Sequence, residues 1–131
     1  MEAWTLGDYA TALKEWRPLA ELGDMESQFR MGFLYGNGYG VPQDDGAAAR
    51  WYRLAAEQGH DLAQRRLGLL YEQGRGVLQD YVQAHMWVNL AGTQGHVGAA
   101  KARRIIEKKM TPEQIAEAQR LAREWLAIHQ K

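Results

Sequence analysis

The sequence contains no cysteine, which excludes a disulfide scaffold, a thiol nucleophile and a zinc site built from thiolates. It also lacks any apolar run of the roughly 18–20 residues that a membrane-spanning helix needs, so we expect no membrane insertion. The formal net charge is zero, because 16 Lys and Arg residues balance 16 Asp and Glu residues. This disfavours a nucleic-acid partner, since domains that bind nucleic acids are usually strongly basic. What is present is a chain with 46% hydrophobic residues, which is too apolar to be intrinsically disordered.

An internal repeat of 36 residues is the main feature of the chain. Residues 28–63 align with residues 64–99 without a gap, and 18 of the 36 aligned positions carry the same residue. The identical pairs include Gly32 and Gly68, Tyr35 and Tyr71, Trp51 and Trp87, and Gln58 and Gln94. Self-similarity at a period between 20 and 50 residues is typical of solenoids, in which each unit packs on its neighbours.

Each repeat is predicted to form two helices, because apolar residues recur at helical spacing and no segment alternates with a period of two. Helices are expected over 25–36, 44–58, 61–73 and 80–94, separated by turns that contain glycine. Asp44 and Asp80 are placed to cap the second helix of their repeats. A further helix is expected over 97–109, and Thr111 and Gln114 form a capping box that begins the last one. The predicted fold class is therefore all-α.

The repeats define one domain of residues 1–131. It comprises a partial repeat (1–23), two repeats (24–59 and 60–95) and a C-terminal capping unit (96–131). The helix expected after Asp8 corresponds to the second helix of a repeat, so we expect the natural protein to continue upstream with its missing partner helix. Trp4 and the uncovered face of this first helix are candidates for contact with a second copy, which would give a homo-oligomer.

The repeat motif resembles that of the Sel-one-like repeat family, a relative of the tetratricopeptide repeats. The resemblance rests on Leu34-Tyr35, Gly38-x-Gly40-Val41, Asp44, Ala48, Trp51-Tyr52, Ala55-Ala56-Glu57-Gln58-Gly59 and their counterparts in the second copy. It implies a right-handed superhelical solenoid of antiparallel helix pairs that acts as a non-enzymatic scaffold for a protein or peptide partner. It also favours a periplasmic or secreted location over the cytoplasm.

Residues that carry catalysis or bind metals are sparse. The single serine, Ser27, is not followed by the lysine of a Ser-x-x-Lys site. His60 and His96 occupy the same repeat position after a glycine, which indicates a role in a turn. His85 and Met86 are adjacent on a helix and point about 100° apart, so they are poorly placed to share a metal ion. We therefore expect no catalytic residue, no metal and no cofactor.

The first helices of successive repeats are expected to line a concave groove. With Gly32 and Gly68 taken as packing positions, the groove-facing residues that differ between repeats are Phe29, Phe33, Asn37, Arg65, Leu69, Gln73, Lys101 and Ile105. Phe33, Leu69 and Ile105 form an apolar ladder, and the nearby cations suit an extended or helical peptide with an acidic group. The alternative is that these side chains simply pack beneath the curve of the solenoid.

Charge is unevenly distributed along the chain despite its zero sum. Residues 1–65 carry six basic and ten acidic side chains, whereas residues 66–131 carry ten basic and six acidic ones. The densest basic stretch, over 101–109, indicates a solvated helix face or a docking site for an acidic partner, and the asymmetry also suits head-to-tail association.

Two alternatives to a scaffold stay open: a domain that binds a small ligand or cell-wall fragment, with or without hydrolase activity, and a structural oligomerisation unit.

Overall fold

The computed structural model describes residues 8–129 and contains seven α-helices and no strand within that range. The helices are α1 Tyr9–Glu21, α2 Met25–Asn37, α3 Asp45–Glu57, α4 Asp61–Gln73, α5 Tyr81–Thr93, α6 Ala99–Glu107 and α7 Pro112–His129. The predicted all-α class is confirmed. None of the helices between residues 8 and 129 combines the length and the apolar character of a membrane span. The predicted contact through Trp4 lies outside the described residues.

The repeat in the sequence reappears as a period in the helices. α1, α3 and α5 begin at Tyr9, Asp45 and Tyr81, and α2 and α4 begin at Met25 and Asp61, so equivalent helices start 36 residues apart. From α1 to α6, each helix packs against the next one in the chain, as expected for stacked antiparallel helix pairs. α7 departs from this order, because its main contacts are with α5.

Polar side chains start most of the helices. Four of these helices are preceded by an aspartate whose carboxylate accepts a hydrogen bond from the backbone N–H three residues later, at Asp8, Asp24, Asp44 and Asp80. His60 takes this role for α4, since its Nδ1 accepts from the N–H of Ala63 at 3.1 Å. Thr111 and Gln114 exchange two hydrogen bonds at the start of α7, which confirms the predicted capping box.

Glycine allows the helices and loops of the array to approach closely. A Cβ at Gly68 would lie 2.6 Å from Val88 Cγ2, closer than a side chain tolerates. In the loop between α4 and α5, Gly76 has a φ of +75°, and the backbone of Asp45 fills the space where a side chain would begin. Gly68 therefore sets the spacing of two helices within a repeat, and Gly76 sets a contact between successive repeats.

The core is divided into three clusters of buried apolar side chains. The first joins α1 and α2 around Trp16 and Leu34. The largest spans α3, α4 and α5 around Leu67, and α7 contributes Trp125 to its edge. The third joins α5 and α6 around Ile106. Each cluster is built by neighbouring helices, as expected when one helix pair cannot bury its own apolar stripe.

The third unit departs from the helix predicted over 97–109. α6 starts at Ala99, and its preceding residue, Gly98, has no side chain to cap it. His96 is the counterpart of the capping His60, but its buried Nδ1 has no hydrogen-bond partner in the described part of the chain. The backbone N–H of Ala99 donates instead to the carbonyl of His96, at 3.2 Å. Because α6 begins late, Gly98 lies in the wall of a cleft against α4.

Candidate partner-binding groove

A polar cleft lies between the first helices of the two complete repeats. This central cleft has a volume of about 190 Å3 and is lined by Gly36, Asn37, Asp45, Ala48, Tyr52, Arg66, Leu69, Leu70, Gln73 and Arg75. At its rim the guanidinium of Arg75 donates two hydrogen bonds of 3.2 Å to the carboxylate of Asp45. Burial raises the pKa of Tyr52 to about 12, and the positive charge of Arg66 opposes this rise. Tyr52 therefore presents a neutral phenol at neutral pH.

A second cleft continues from the central one towards α6. This terminal cleft has a volume of about 300 Å3 and is lined by Arg65, Leu69, Glu72, Gly98, Lys101, Ala102 and Ile105. Glu72 is paired with Lys109, whose Nζ lies 3.2 Å from the carboxylate. Leu69 lines both clefts. The two clefts together make one path across α2, α4 and α6, which we call the groove.

The structure brings together six of the eight residues predicted from the sequence. Those that line the groove are Asn37, Arg65, Leu69, Gln73, Lys101 and Ile105. Phe29 instead packs on His60, with ring centroids 4.7 Å apart, and is a partly buried side chain packed against the largest core cluster. Phe33 contacts the groove residue Arg66, whose guanidinium carbon lies 5.7 Å from the centre of the Phe33 ring. The apolar part of the groove is therefore shorter than the predicted ladder.

Among the described residues, three of the four cations that line the groove have no carboxylate partner. Within residues 8–129, no carboxylate lies within 4 Å of Arg65, Arg66 or Lys101. Several cations elsewhere are paired, as Arg120 is with Glu117. The buried Nε of Arg65 also has no hydrogen-bond acceptor among residues 8–129. A buried N–H group without an acceptor is costly, so an anionic ligand at this position gains a hydrogen bond that the protein itself does not make.

Arg66 is a groove residue that the sequence analysis misses. It aligns with an identical residue, Arg30, and the prediction selected positions that differ between the repeats. Their surroundings differ, because Arg30 lies 3.7 Å from Glu26, four residues earlier, whereas the residue four positions before Arg66 is Leu62. The signal in the sequence is the missing carboxylate four residues before Arg66, because a carboxylate at this spacing on a helix is what pairs with Arg30.

The serine and the buried histidine considered from the sequence both form contacts within the fold. Ser27 is 2% exposed, and its hydroxyl donates to Asp24 at 2.5 Å within the cap of α2. His85 is fully buried, with its Nε2 2.7 Å from Glu107 Oε2. Between residues 8 and 129, no three His, Asp or Glu side chains are grouped to hold a metal ion. The groove presents four cations, two carboxylates that are each paired with a cation, two side-chain amides, a phenol and apolar side chains, which can serve recognition.

Comparison with known proteins agrees with the repeat and the fold. A sequence profile of the Sel1 repeat matches residues 26–60 and 61–96. The chain is similar to the crystal structure of c5321, described as a protective antigen present in uropathogenic Escherichia coli strains displaying an SLR fold. That match has a TM-score of 0.88 and 38% identity over 91% of this chain. The chain is also similar to the crystal structure of a Sel1 repeat protein from Oxalobacter formigenes, with a TM-score of 0.77 and 29% identity over 95% of this chain.

These similarities confirm the predicted right-handed solenoid of helix pairs. The chain spans 26% of the Escherichia coli protein and 53% of the Oxalobacter formigenes protein, so each similarity concerns the repeat region. No curated protein matches the chain.

Proposed function

Because the chain belongs to the Sel1 repeat family, whose repeats generally mediate protein interactions, we propose that its groove binds an acidic peptide segment of a partner protein. On this proposal the chain is a non-enzymatic scaffold. The peptide lies across α2, α4 and α6, with apolar side chains on Leu69 and Ile105. Its acidic side chains face Arg65, Arg66 and Lys101.

The unpaired cations of the groove are the observation that supports this proposal. Arg65, Arg66 and Lys101 have no carboxylate within 4 Å in the described chain, whereas the rim cations Arg75 and Lys109 are already paired. Charge complementarity between a surface and its partner raises the association rate and rejects partners of the wrong sign. An acidic segment satisfies this surface, and a basic one is repelled.

The size of the groove suggests a suitable probe peptide. Packed helices are about 8–10 Å apart, so the path from α2 through α4 to α6 is about 20 Å long. An extended chain covers about 3.3 Å per residue, and a peptide of about eight residues therefore spans the path with a margin at each end. The acidic probe is (Leu-Glu)4 with blocked termini, and the neutral probe is (Leu-Gln)4 with blocked termini.

Fluorescence polarisation with these two labelled probes tests the proposal. The acidic probe is expected to bind about tenfold more tightly than the neutral one, which corresponds to about 1.4 kcal/mol. Arg65→Glu is expected to remove this preference. Arg123→Glu makes the same charge change on an exposed position of α7 outside the groove, and the preference should persist. Equal affinity of both probes for the unaltered protein would contradict the proposal.

A further inference from the structure

Leu69 lies between two of the cations in the groove that have no carboxylate partner in the described chain. It lines both clefts, whereas Arg66 lines only the central cleft and Arg65 lines only the terminal one. On a helix of about 3.6 residues per turn, the residues three and four positions before a given side chain lie about 60° to one side of it and about 40° to the other. Arg66 and Arg65 therefore flank Leu69 on α4.

Contacts with the neighbouring helices place the two arginines on different sides of α4. The guanidinium carbon of Arg66 lies 5.7 Å from the centre of the Phe33 ring on α2. The Nε of Arg65 lies 3.4 Å from the position that a Cβ would take on Gly98, the residue before α6. Along the path from α2 to α6, the groove therefore presents a cation, then the apolar side chain of Leu69, then a second cation.

The two carboxylates that line the groove leave this order intact. Each is paired with a cation at the rim, Asp45 with Arg75 and Glu72 with Lys109, at distances of 3.2 Å. Both positive positions beside Leu69 therefore stay available to a ligand.

An extended peptide matches this order with one spacing. Side chains two residues apart point to the same face of an extended chain, and adjacent side chains point to opposite faces. A peptide side chain that packs on Leu69 thus needs acidic residues two positions before it and two positions after it. These two acidic residues are about 13 Å apart, close to the width of about 10–12 Å of a helix with its side chains. They can therefore reach cations on both sides of α4.

We propose, building on the proposed function, that the partner segment carries the pattern acidic-x-apolar-x-acidic, where x is any residue. The apolar side chain packs on Leu69. One acidic side chain binds Arg66, and the other binds Arg65 and Lys101, which line the same cleft. The guanidinium of an arginine matches a carboxylate with two parallel hydrogen bonds, which fixes the position of each acidic residue. The pattern is symmetric, so it holds for either direction of the peptide.

Two labelled peptides of identical composition test this order. Gln-Glu-Gln-Leu-Gln-Glu-Gln carries the pattern, whereas Gln-Gln-Glu-Leu-Glu-Gln-Gln places both acidic residues next to the leucine, on the opposite face of an extended chain. Both have blocked termini and the same net charge. In fluorescence polarisation, the patterned peptide is expected to bind about tenfold more tightly than the shuffled one. Equal affinities, tighter binding of the shuffled peptide, or no measurable binding of either would overturn the inference.

Variants of the protein test the three contacts one at a time. Arg66→Gln, Arg65→Gln and Leu69→Ala should each reduce the preference for the patterned peptide to about threefold or less. Arg123→Gln on an exposed position of α7 and Leu78→Ala, at a residue that is 90% exposed, are the matched controls and should keep the full preference. Thermal unfolding checks that each variant is folded. A full preference in all three groove variants would show that the inference is wrong.

The proposed function is judged by a different comparison. The blocked (Leu-Glu)4 probe carries its glutamates on one face and its leucines on the other when extended, so it reports a charge preference without testing the order. If the unaltered protein prefers this probe to (Leu-Gln)4 but binds the two seven-residue peptides equally, the proposed function holds and only the inference fails. If the protein does not distinguish (Leu-Glu)4 from (Leu-Gln)4, the proposed function itself is contradicted.

Discussion

Gln58 donates a hydrogen bond from its side-chain amide to Oε1 of Gln28 at 2.8 Å, which joins the end of α3 to α2 within one repeat. The same contact recurs 36 residues later, where Gln94 donates to Gln64 at 2.9 Å. In both repeats the buried member of the pair donates onward to a backbone carbonyl of the preceding helix, at 3.1 Å. A line of amide groups therefore couples each repeat to its neighbour, beside the apolar core.

Loss of a buried glutamine should destabilise the array. Gln64 is 0% exposed, and Gln64→Leu removes both its hydrogen bond to the carbonyl of Ala56 and the acceptor of the Gln94 amide. The free energy of unfolding is expected to fall by about 1–3 kcal/mol, as measured by urea denaturation. Gln119→Leu on the exposed face of α7 should change it by less than about 0.5 kcal/mol. Equal midpoints for the two variants would show that the amide line contributes nothing.

Two glycines that sit in helices should respond oppositely to the same substitution. Gly68→Ala brings a methyl group to 2.6 Å from Val88 and 2.9 Å from the carbonyl of Ala84, so it should destabilise by about 1–3 kcal/mol. Gly92→Ala meets its neighbour Ala99 at an ordinary 3.5 Å, so it should be neutral or stabilising by up to about 1 kcal/mol. Thermal unfolding of both variants measures the difference. A stabilised Gly68→Ala protein would contradict the close approach of α4 and α5.

The cap of α2 should make stability depend on acid. The pKa of Asp24 is lowered from its ordinary 3.8, first because the Ser27 hydroxyl donates to its carboxylate and then because the Ser27 backbone N–H does. A group whose pKa is lower in the folded state contributes stability above its unfolded pKa and loses it as the pH falls through the folded pKa. The melting temperature should therefore fall below about pH 4, and Asp24→Asn should reduce that fall.

Ser27→Ala is a milder version of the same experiment. The next repeat carries Ala63 at this position, so the fold accommodates the smaller side chain. Removing the hydroxyl takes away the largest cause of the lowered pKa of Asp24. The melting temperature of this variant should therefore also fall less below about pH 4. If the melting temperature of both variants falls below about pH 4 as much as that of the unaltered protein, other groups cause the acid dependence.

The dependence of binding on ionic strength should distinguish the contribution of the charged residues of the groove from that of its apolar residues. The screening length falls from about 10 Å at 0.1 M salt to about 3 Å at 1 M, which weakens attraction between an acidic peptide and cations such as Arg66 and Lys101. Binding of the acidic probe should weaken at least about fivefold over this range, and binding of the neutral probe should change by less than about twofold. Parallel changes for both probes would argue against electrostatic recognition.

The helices could be predicted from local signals wherever these exist. Asp44 and Asp80 mark the starts of α3 and α5, and both cap as expected. The sequence predicts the start of α6 two residues early, because the alignment transfers the start of α4 to a position where the side-chain cap is absent. His60 and His96 are equivalent in the alignment. Their roles differ because a helix starts directly after His60, at Asp61, but only three residues after His96, at Ala99.

The sequence predicts which side chains line the groove where repeat register alone decides which way a side chain faces. Arg65, Leu69 and Ile105 follow from this register and line the groove. Phe29 follows the same register but is covered by Tyr52 and His60, which come from other segments of the chain. Such cover depends on packing between repeats, which the spacing of residues within one helix does not reveal.

The claim that an acidic peptide occupies the groove across α2, α4 and α6 is tested most directly by mapping its binding surface. Nuclear magnetic resonance of the 15N-labelled protein, titrated with the blocked (Leu-Glu)4 probe, reports every backbone amide that the peptide affects. The largest shifts are predicted at Arg65, Leu69 and Ile105, with the Nε–H signal of Arg65 moving in step. Shifts confined to α1 and α7, or no shifts at all, would contradict the claim.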